Sequence, residues 1–377
     1  MSSWWLSEEP LPAFASVEVT QPDVEIVGAG ITGISAALTL AEAGKRVRVY
    51  DGRHVAEGAS GRNGGFALRG GAMPYDRARE WLGADRAAGY WRLTEQHLDR
   101  LAGLAGDALR RTGSLRLAAD QEEADELRVE FDALGEDGFN AEWRTECVGR
   151  RFPAAIFHPC DASIQPAQLV RGLAARAVVA GVAIVEQHRV ESIDELEAEH
   201  VLVATDGYPS GLLATLEGLI IPTRGQMIAT EPVSRVMFDC PHYGRHGFDY
   251  WQQTRDGRIL AGGFRDVALE SEFTADETIT QTIQDALDAF VTELVGHPIE
   301  ITHRWAGIFG LVLDFMPVMG RVPETDRVWV AGGYSGHGNV LGFMCGDLVA
   351  NAILGDPHPL FGMFDPARLL QLELGEV

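Results

Sequence analysis

Residues 24–27, VEIV, form a short, mainly apolar run that ends in a glycine turn, and such a run reads as a buried strand. The next stretch, ITGISAALTLAEAG, spaces its apolar residues as an amphipathic helix does and stops at Gly44. KRVRVYD then alternates as a second strand. Residues 77–134 carry helical spacing with acidic and arginine-rich faces, 165–181 predict another helix, and 182–205 hold two strands ending in HVLVATDG. From 222 to 264 the pattern turns strand-like in TRGQMIATE, DYWQQT and RILAGGF. The last two are joined at Asp256-Gly257, a hairpin signal. A helix over 276–295, a strand over 328–333, the loop YSGHG and a helix from about 339 to 354 close the chain. No repeat or low-complexity linker divides these segments, which predicts two interleaved domains.

Composition narrows the class. A chain of 377 residues with 46% hydrophobic and 23% charged residues has material for two folded, water-soluble domains. Cys147, Cys160, Cys240 and Cys345 lie far apart with no CxxC, so neither a disulfide framework nor a metal site is expected, and a reducing cytoplasm suits them. The first residues lack the basic and apolar regions of a signal peptide. The most apolar long stretch, Leu173 to Val185, is short and contains Arg176, so no membrane span is expected. The formal charge of −24 excludes a nucleic-acid partner, because phosphates call for a basic surface. That acidity serves either to concentrate a cationic substrate such as an amine or simply for solubility.

The turn after the first strand is Gly28-Ala29-Gly30-Ile31-Thr32-Gly33, a GxGxxG between strand and helix. There Gly28 permits the tight turn, Gly30 admits a pyrophosphate to the backbone, and Gly33 lets helix and strand pack closely. The helix N-terminus offers amides and a positive dipole end. Asp51 closes the second strand, eighteen residues past Gly33, where its carboxylate suits ribose hydroxyls. Together these point to a dinucleotide rather than to an empty βαβ unit. The choice of FAD over NAD comes from the next segment, which runs from Gly58 through Ser60, Arg62, Asn63, Gly64 and Gly65. Small residues interleaved with Arg and Asn let backbone approach a flat ring system, where a plain loop needs no such pattern.

In order along nearly the whole chain, SWW…EEPLP, GAGITG, GASGRNGG, ATDGY, DYWQQTRDGRILAGG, RWAGIFGLVLDFMPVMGR and GYSGHGNVLG resemble the FAD-dependent D-amino-acid-oxidase-like superfamily. Within it, the pieces are most similar to the gamma-glutamylputrescine oxidoreductase type of amine oxidases. The resemblance implies an α/β fold in which a Rossmann-like FAD-binding domain is interleaved with a substrate domain built on a mixed β-sheet. The expected division is 18–76, 146–221 and 303–377 for the former and 77–145 and 222–302 for the latter. It implies Gly28, Gly30, Ile31, Thr32 and Gly33 at the pyrophosphate, Asp51 at the ribose and Val190 at the adenine. It further implies Ser60, Arg62, Asn63, Gly64 and Gly65 along the pyrophosphate and flavin ring, with Gly336, His337, Gly338 and Asn339 at the ring's pyrimidine side.

The resemblance also implies oxidation of a C–N bond, with hydride passing to flavin N5, the imine hydrolysed and dioxygen reduced to peroxide. Departures from the family sharpen this. Phe309 stands where amino-acid-specific members carry an arginine, and Val340 where sarcosine-type members carry a lysine. Both losses favour an amine. A D-amino acid, glycine or an N-methyl amino acid is the alternative, with Arg69, Arg224 or Arg265 as substitute carboxylate ligands. Gly307 replaces the flavin-linking cysteine of some relatives, which implies non-covalent FAD. Lys45 is the only lysine, so the substrate-domain lysine that activates oxygen in some relatives has no counterpart, and an acceptor other than oxygen stays open. His337 is a candidate general base or a residue that fixes loop geometry. Of Tyr250 and Trp251, strand alternation lets only one face a ligand. Arg69 reaches either an acidic substrate group or the surface. Trp4 and Trp5 are expected to pack the lead-in against the domain.

Overall fold

The structure is a computed structural model that describes residues 3–9, 14, 17–147, 151–208 and 211–371. The Pro10-Leu11-Pro12 part of the lead-in and the 372–377 end of the expected FAD-binding segment lie outside them, as do 148–150 and 209–210.

The first sheet has six strands in the order Val318–Arg321, Val328–Gly332, His200–Val203, Val24–Val27, Val47–Tyr50 and Ala183–Val185. All neighbours are parallel except the antiparallel edge pair of Val318–Arg321 with Val328–Gly332. Val24 pairs with Val47 and with His200, so the strand before the glycine turn lies at the centre, buried on both faces. Parallel strands of this kind need covered faces. The helix Ile31–Glu42 packs against Pro166–Val179 and Gly338–Ile353. A Cβ on Gly346 would overlap the Thr32 carbonyl, so only glycine lets the Ile31–Glu42 and Gly338–Ile353 helices approach this closely. Their N-termini consequently open side by side.

The second sheet has eight strands in the order Ile301–Leu311, Ile221–Pro232, Arg258–Gly263, Asp249–Gln253, His242–Gly244, Ser114–Leu117, Phe152–His158 and Glu142–Glu146. It is mixed, with His242–Gly244 parallel to Ser114–Leu117. One face packs Trp251, Ile228 and Ile259 against Ile283, Leu287 and Phe290 of the Gln281–Val295 helix. The other face looks back toward the first sheet. A small third sheet, Phe66–Ala67, Ala162–Ile164 and Leu109–Arg110, joins the two halves. This is the interleaved α/β architecture with a Rossmann-like half and a mixed-sheet half.

Three expectations are corrected. Residues 77–134 are not helical throughout: Ser114–Leu117 is a strand, because Gly113 turns the chain to pair with Phe152–His158 and His242–Gly244. The helix expected from 276 starts at Gln281, because Asp276 is occupied in a local turn accepting from the Thr278 amide. Sheet membership also moves two strands across the expected domain boundaries. Phe152–His158 and nearly all of Ile301–Leu311, expected in FAD-binding segments, hydrogen-bond within the eight-stranded sheet.

Candidate functional site

A cavity of about 750 Å³ runs between the two sheets, from the glycine turn at one end to the aromatic face of the mixed sheet at the other. Gly28, Gly30, Ile31, Thr32, Asp51, Ser60, Arg62, Asn63, Gly64, Val190, Gly336, His337, Gly338 and Asn339 all line it. Gly33 and Gly65 do not.

At the first end the chain leaves the central strand with Gly28 at φ 111°, a conformation that side chains resist, and a Cβ there would sit 2.5 Å from the Ala204 carbonyl oxygen. Gly33 serves packing: a Cβ on it would overlap the Gly28 carbonyl. Asp51 accepts from the Ala29 amide at 2.7 Å and the Arg53 amide at 2.8 Å, tying the second strand's end to the turn. Burial pushes its carboxyl up while those amides pull it down. Its oxygens keep lone pairs for further donors. Ser60 Oγ accepts from the Ile31 amide at 2.9 Å, so the second loop caps the helix from outside, and that amide is not free as the sequence suggests.

The second loop is locked to the third. Asn63 Nδ2 donates to Asn339 Oδ1 and Asn339 Nδ2 donates to Asn63 Oδ1, each at 3.1 Å, a reciprocal amide pair across 276 residues of sequence. Asn339 Nδ2 also donates to the Phe66 carbonyl at 2.7 Å. Arg62 donates to the carbonyls of Glu57 and Ala306 at 2.7 and 3.1 Å. Gly65, at φ 77°, turns beneath the loop with Ile164 O 2.7 Å from where its Cβ would be, which explains why it misses the cavity. The N-terminal segment props this loop: Ser3 Oγ donates to the Gly61 carbonyl at 2.6 Å and Trp5 Nε1 to the Asn63 carbonyl at 2.8 Å. Trp4 and Trp5 are buried.

Asp206 was not singled out from sequence, yet it lines the cavity and ties its far wall. It accepts from the Gly310 amide at 2.9 Å and the Gly333 amide at 2.8 Å, and it sits at φ 49° to do so. An aspartate in the left-handed region just after a strand is the signal in ATDGY that could have been read. His337 occupies the N-cap position of Gly338–Ile353, and its Nδ1 is buried without a partner. Burial and the Arg116 and Arg265 charges pull it down to about 4, so it is neutral at physiological pH. An orphaned buried nitrogen beside an open helix N-terminus fits a polar ring edge.

At the other end Tyr250 lines the cavity while Trp251 is buried in the core behind it, as alternation requires. Burial pushes the Tyr250 phenol up to about 12. Phe309, Tyr243 and Arg265 stand with it. Arg69 lies outside the cavity, which corrects its candidacy. Its guanidinium, 1% exposed, donates to Glu95 Oε1 at 2.7 Å and the Asn140 carbonyl at 3.2 Å, and meets His158 Nδ1 at 3.0 Å. Arg224 is likewise closed off on Glu272, at 2.7 and 2.9 Å. Val340 is buried and faces the core.

Comparison with known proteins agrees with this geometry. The family model described as FAD dependent oxidoreductase (DAO) matches residues 23–352. The chain is 27% identical over 380 residues to "Probable oxidoreductase OrdL" of Haemophilus influenzae, covering 91% of this chain and 85% of that one. It is 27% identical over 366 residues to the gamma-glutamylputrescine oxidoreductase of Escherichia coli, covering 89% and 84%. Among solved structures, the L-proline dehydrogenase of P. horikoshii superposes with a TM-score of 0.76 at 21% identity, covering 94% of this chain and 99% of that one, a likeness of fold. No helix among the described residues is long and apolar enough to cross a membrane.

Proposed function

The chain belongs to the family of FAD dependent oxidoreductases, and from that footing we propose that it oxidises the C–N bond of an amine. The net reaction takes a hydride from the α-carbon and a proton from nitrogen, leaving an imine that water hydrolyses to an aldehyde or ketone. Dioxygen, reduced to hydrogen peroxide, takes up the electrons. The observation that carries this reading is the single cavity joining the GxGxxG turn to the aromatic wall of Tyr250 and Phe309. The similarity to a gamma-glutamylputrescine oxidoreductase supports an amine as substrate.

FAD, when bound, supplies the two-electron acceptor. The turn at Gly28, Gly30, Ile31 and Thr32 would hold its pyrophosphate, Asp51 its ribose and Val190 its adenine. Ser60, Arg62, Asn63 and Gly64 would follow it to the ring, and the Gly336–Asn339 loop would meet the ring's far edge. The start of Gly338–Ile353 turns its amides toward the cavity, where they stabilise negative charge developing on a ligand. Tyr250 and Phe309 hold the substrate's carbon in place and exclude water, and orientation of this kind is a large part of catalysis. A neutral His337 adds no positive charge to repel an amine. Gly307 supports non-covalent attachment: a Cβ there would already lie 2.9 Å from Arg62 Cβ, and no cysteine among the described residues lines the cavity. The four unpaired cysteines support a reducing compartment such as the cytoplasm.

The test is an anaerobic screen of amines and amino acids against the FAD-loaded protein, followed by admission of air. Loss of the visible flavin absorbance with an amine, then peroxide on aeration, is the expected outcome. If nothing in the screen bleaches the flavin, the assignment is wrong. If bleaching occurs without peroxide, the acceptor is.

A further inference from the structure

Arg265 is an unusual cation. It lines the cavity, and its guanidinium carbon lies 4.7 Å from the Phe248 ring centre and 5.6 Å from that of Phe309. Among the described residues no acceptor and no carboxylate pairs with it. Asp249 and Asp266, the acids nearest it in the sequence, are both held by Arg245, at 2.7 and 2.8 Å. Arg69 and Arg224, buried to a similar or greater degree, each have a carboxylate partner. A guanidinium drawn out of water onto two rings regains only part of its hydration through cation–π contact.

Two further donors face the same space. Tyr243 and Tyr250 are directly opposite on neighbouring strands, so their side chains share one face. Both line the cavity, and among the described residues neither hydroxyl has a hydrogen-bond partner. Burial raises both phenols, keeping them protonated as donors. One permanent cation and two neutral donors, with no acid to balance them, complement a single negative charge. A planar guanidinium fork matches a carboxylate best. The cation reaches Phe309 from just beyond the Arg258–Gly263 strand rather than from the Ile301–Leu311 strand that Phe309 itself occupies.

We propose that Arg265, flanked by the hydroxyls of Tyr243 and Tyr250, binds a carboxylate of the substrate, so that the amine oxidised here is one that carries an acidic group. This rests on the amine-oxidation reading for its chemistry, but the binding step can be tested separately. The FAD-loaded enzyme is titrated with propionate, which cannot be oxidised as an amine, and the perturbation of the flavin spectrum is followed. Arg265→Met should weaken propionate by about 10- to 150-fold, the range for a lost hydrogen-bonded charge, and Tyr243→Phe by less. In kcat/KM the wild type should favour amino-carboxylates over their amides, and Arg265→Met should collapse that ratio. Because no native ion pair is broken, Arg265→Met should melt no lower than wild type and keep its FAD.

Propionate binding unchanged in Arg265→Met, or a wild-type preference for the amides, overturns the proposal. So does a large fall in melting temperature with loss of FAD, which would mark a structural arginine. If no amine reduces the flavin, the amine-oxidation reading fails, and the propionate titration still decides the role of Arg265.

Discussion

The reciprocal pair between Asn63 and Asn339 joins two loops that the chain brings together from opposite ends, and it should set how tightly FAD is held. Asn339→Ala removes three hydrogen bonds, at 3.1, 3.1 and 2.7 Å. Asn63 keeps other partners, since its Oδ1 still accepts from the Gly65 amide at 2.8 Å and its Nδ2 still donates to the Ala59 carbonyl at 3.0 Å. Only the Phe66 carbonyl loses the side-chain donor it had. At roughly 0.5–1.5 kcal/mol per net bond the loss is about 2–3 kcal/mol. With the loops no longer tied, FAD must order them on binding, so part of that loss appears in affinity, as a rise in Kd of about 10- to 100-fold. The assay is titration of apoprotein with FAD, using quenching of its fluorescence, for wild type, Asn63→Ala, Asn339→Ala and the double variant. Because the two amide–amide bonds vanish in either single variant, the double should fall short of the summed losses by about 1–2 kcal/mol. Additive effects, or an Asn339→Ala Kd within about twofold of wild type, would refute the idea that this pair sets the cavity's geometry.

Trp5→Ala empties a buried site and removes the donor to the Asn63 carbonyl; a loss of about 3–5 kcal/mol in urea unfolding, with FAD lost on gel filtration, is expected. His337→Asn should leave the pH profile of kcat/KM without a missing limb between pH 5 and 8, because the imidazole titrates at about 4; a wild-type limb near pH 6–7 that disappears in this variant would restore His337 as a general base. His242, stacked on Trp251, is pulled down to about 4 by burial, below its unfolded value of 6.5. As the pH falls from about 6.5 to about 4 the unfolded chain takes up a proton that the folded chain refuses, so stability drops by about 1.4 kcal/mol per unit, and His242→Phe should flatten that part of a melting-temperature profile.

What the sequence discloses and what it hides follow from how far apart the interacting residues lie. The GxGxxG turn, its helix and Asp51 are a local unit, and their apolar spacing, glycines and terminal acid are all visible within residues 24–51. The hairpin at Asp256-Gly257 is local too, and its strands pair as their turn chemistry requires. Ser114–Leu117 is a different case: four residues between helices become a strand only because Phe152–His158 and His242–Gly244 flank it, and no window of sequence contains those partners. Charges show the same division more sharply. Arg69, Arg224 and Arg265 are indistinguishable as candidates when each is read beside its own neighbours. What separates them is whether a distant acid has claimed them: Glu95 and Glu272 take the first two, and Arg245 takes the acids beside the third. An unpaired cation is therefore a property of the whole fold. Arg265 is left facing the cavity by the same tertiary contacts that satisfy Asp249 and Asp266, so disrupting Arg245 would be expected to free those acids to compete for it.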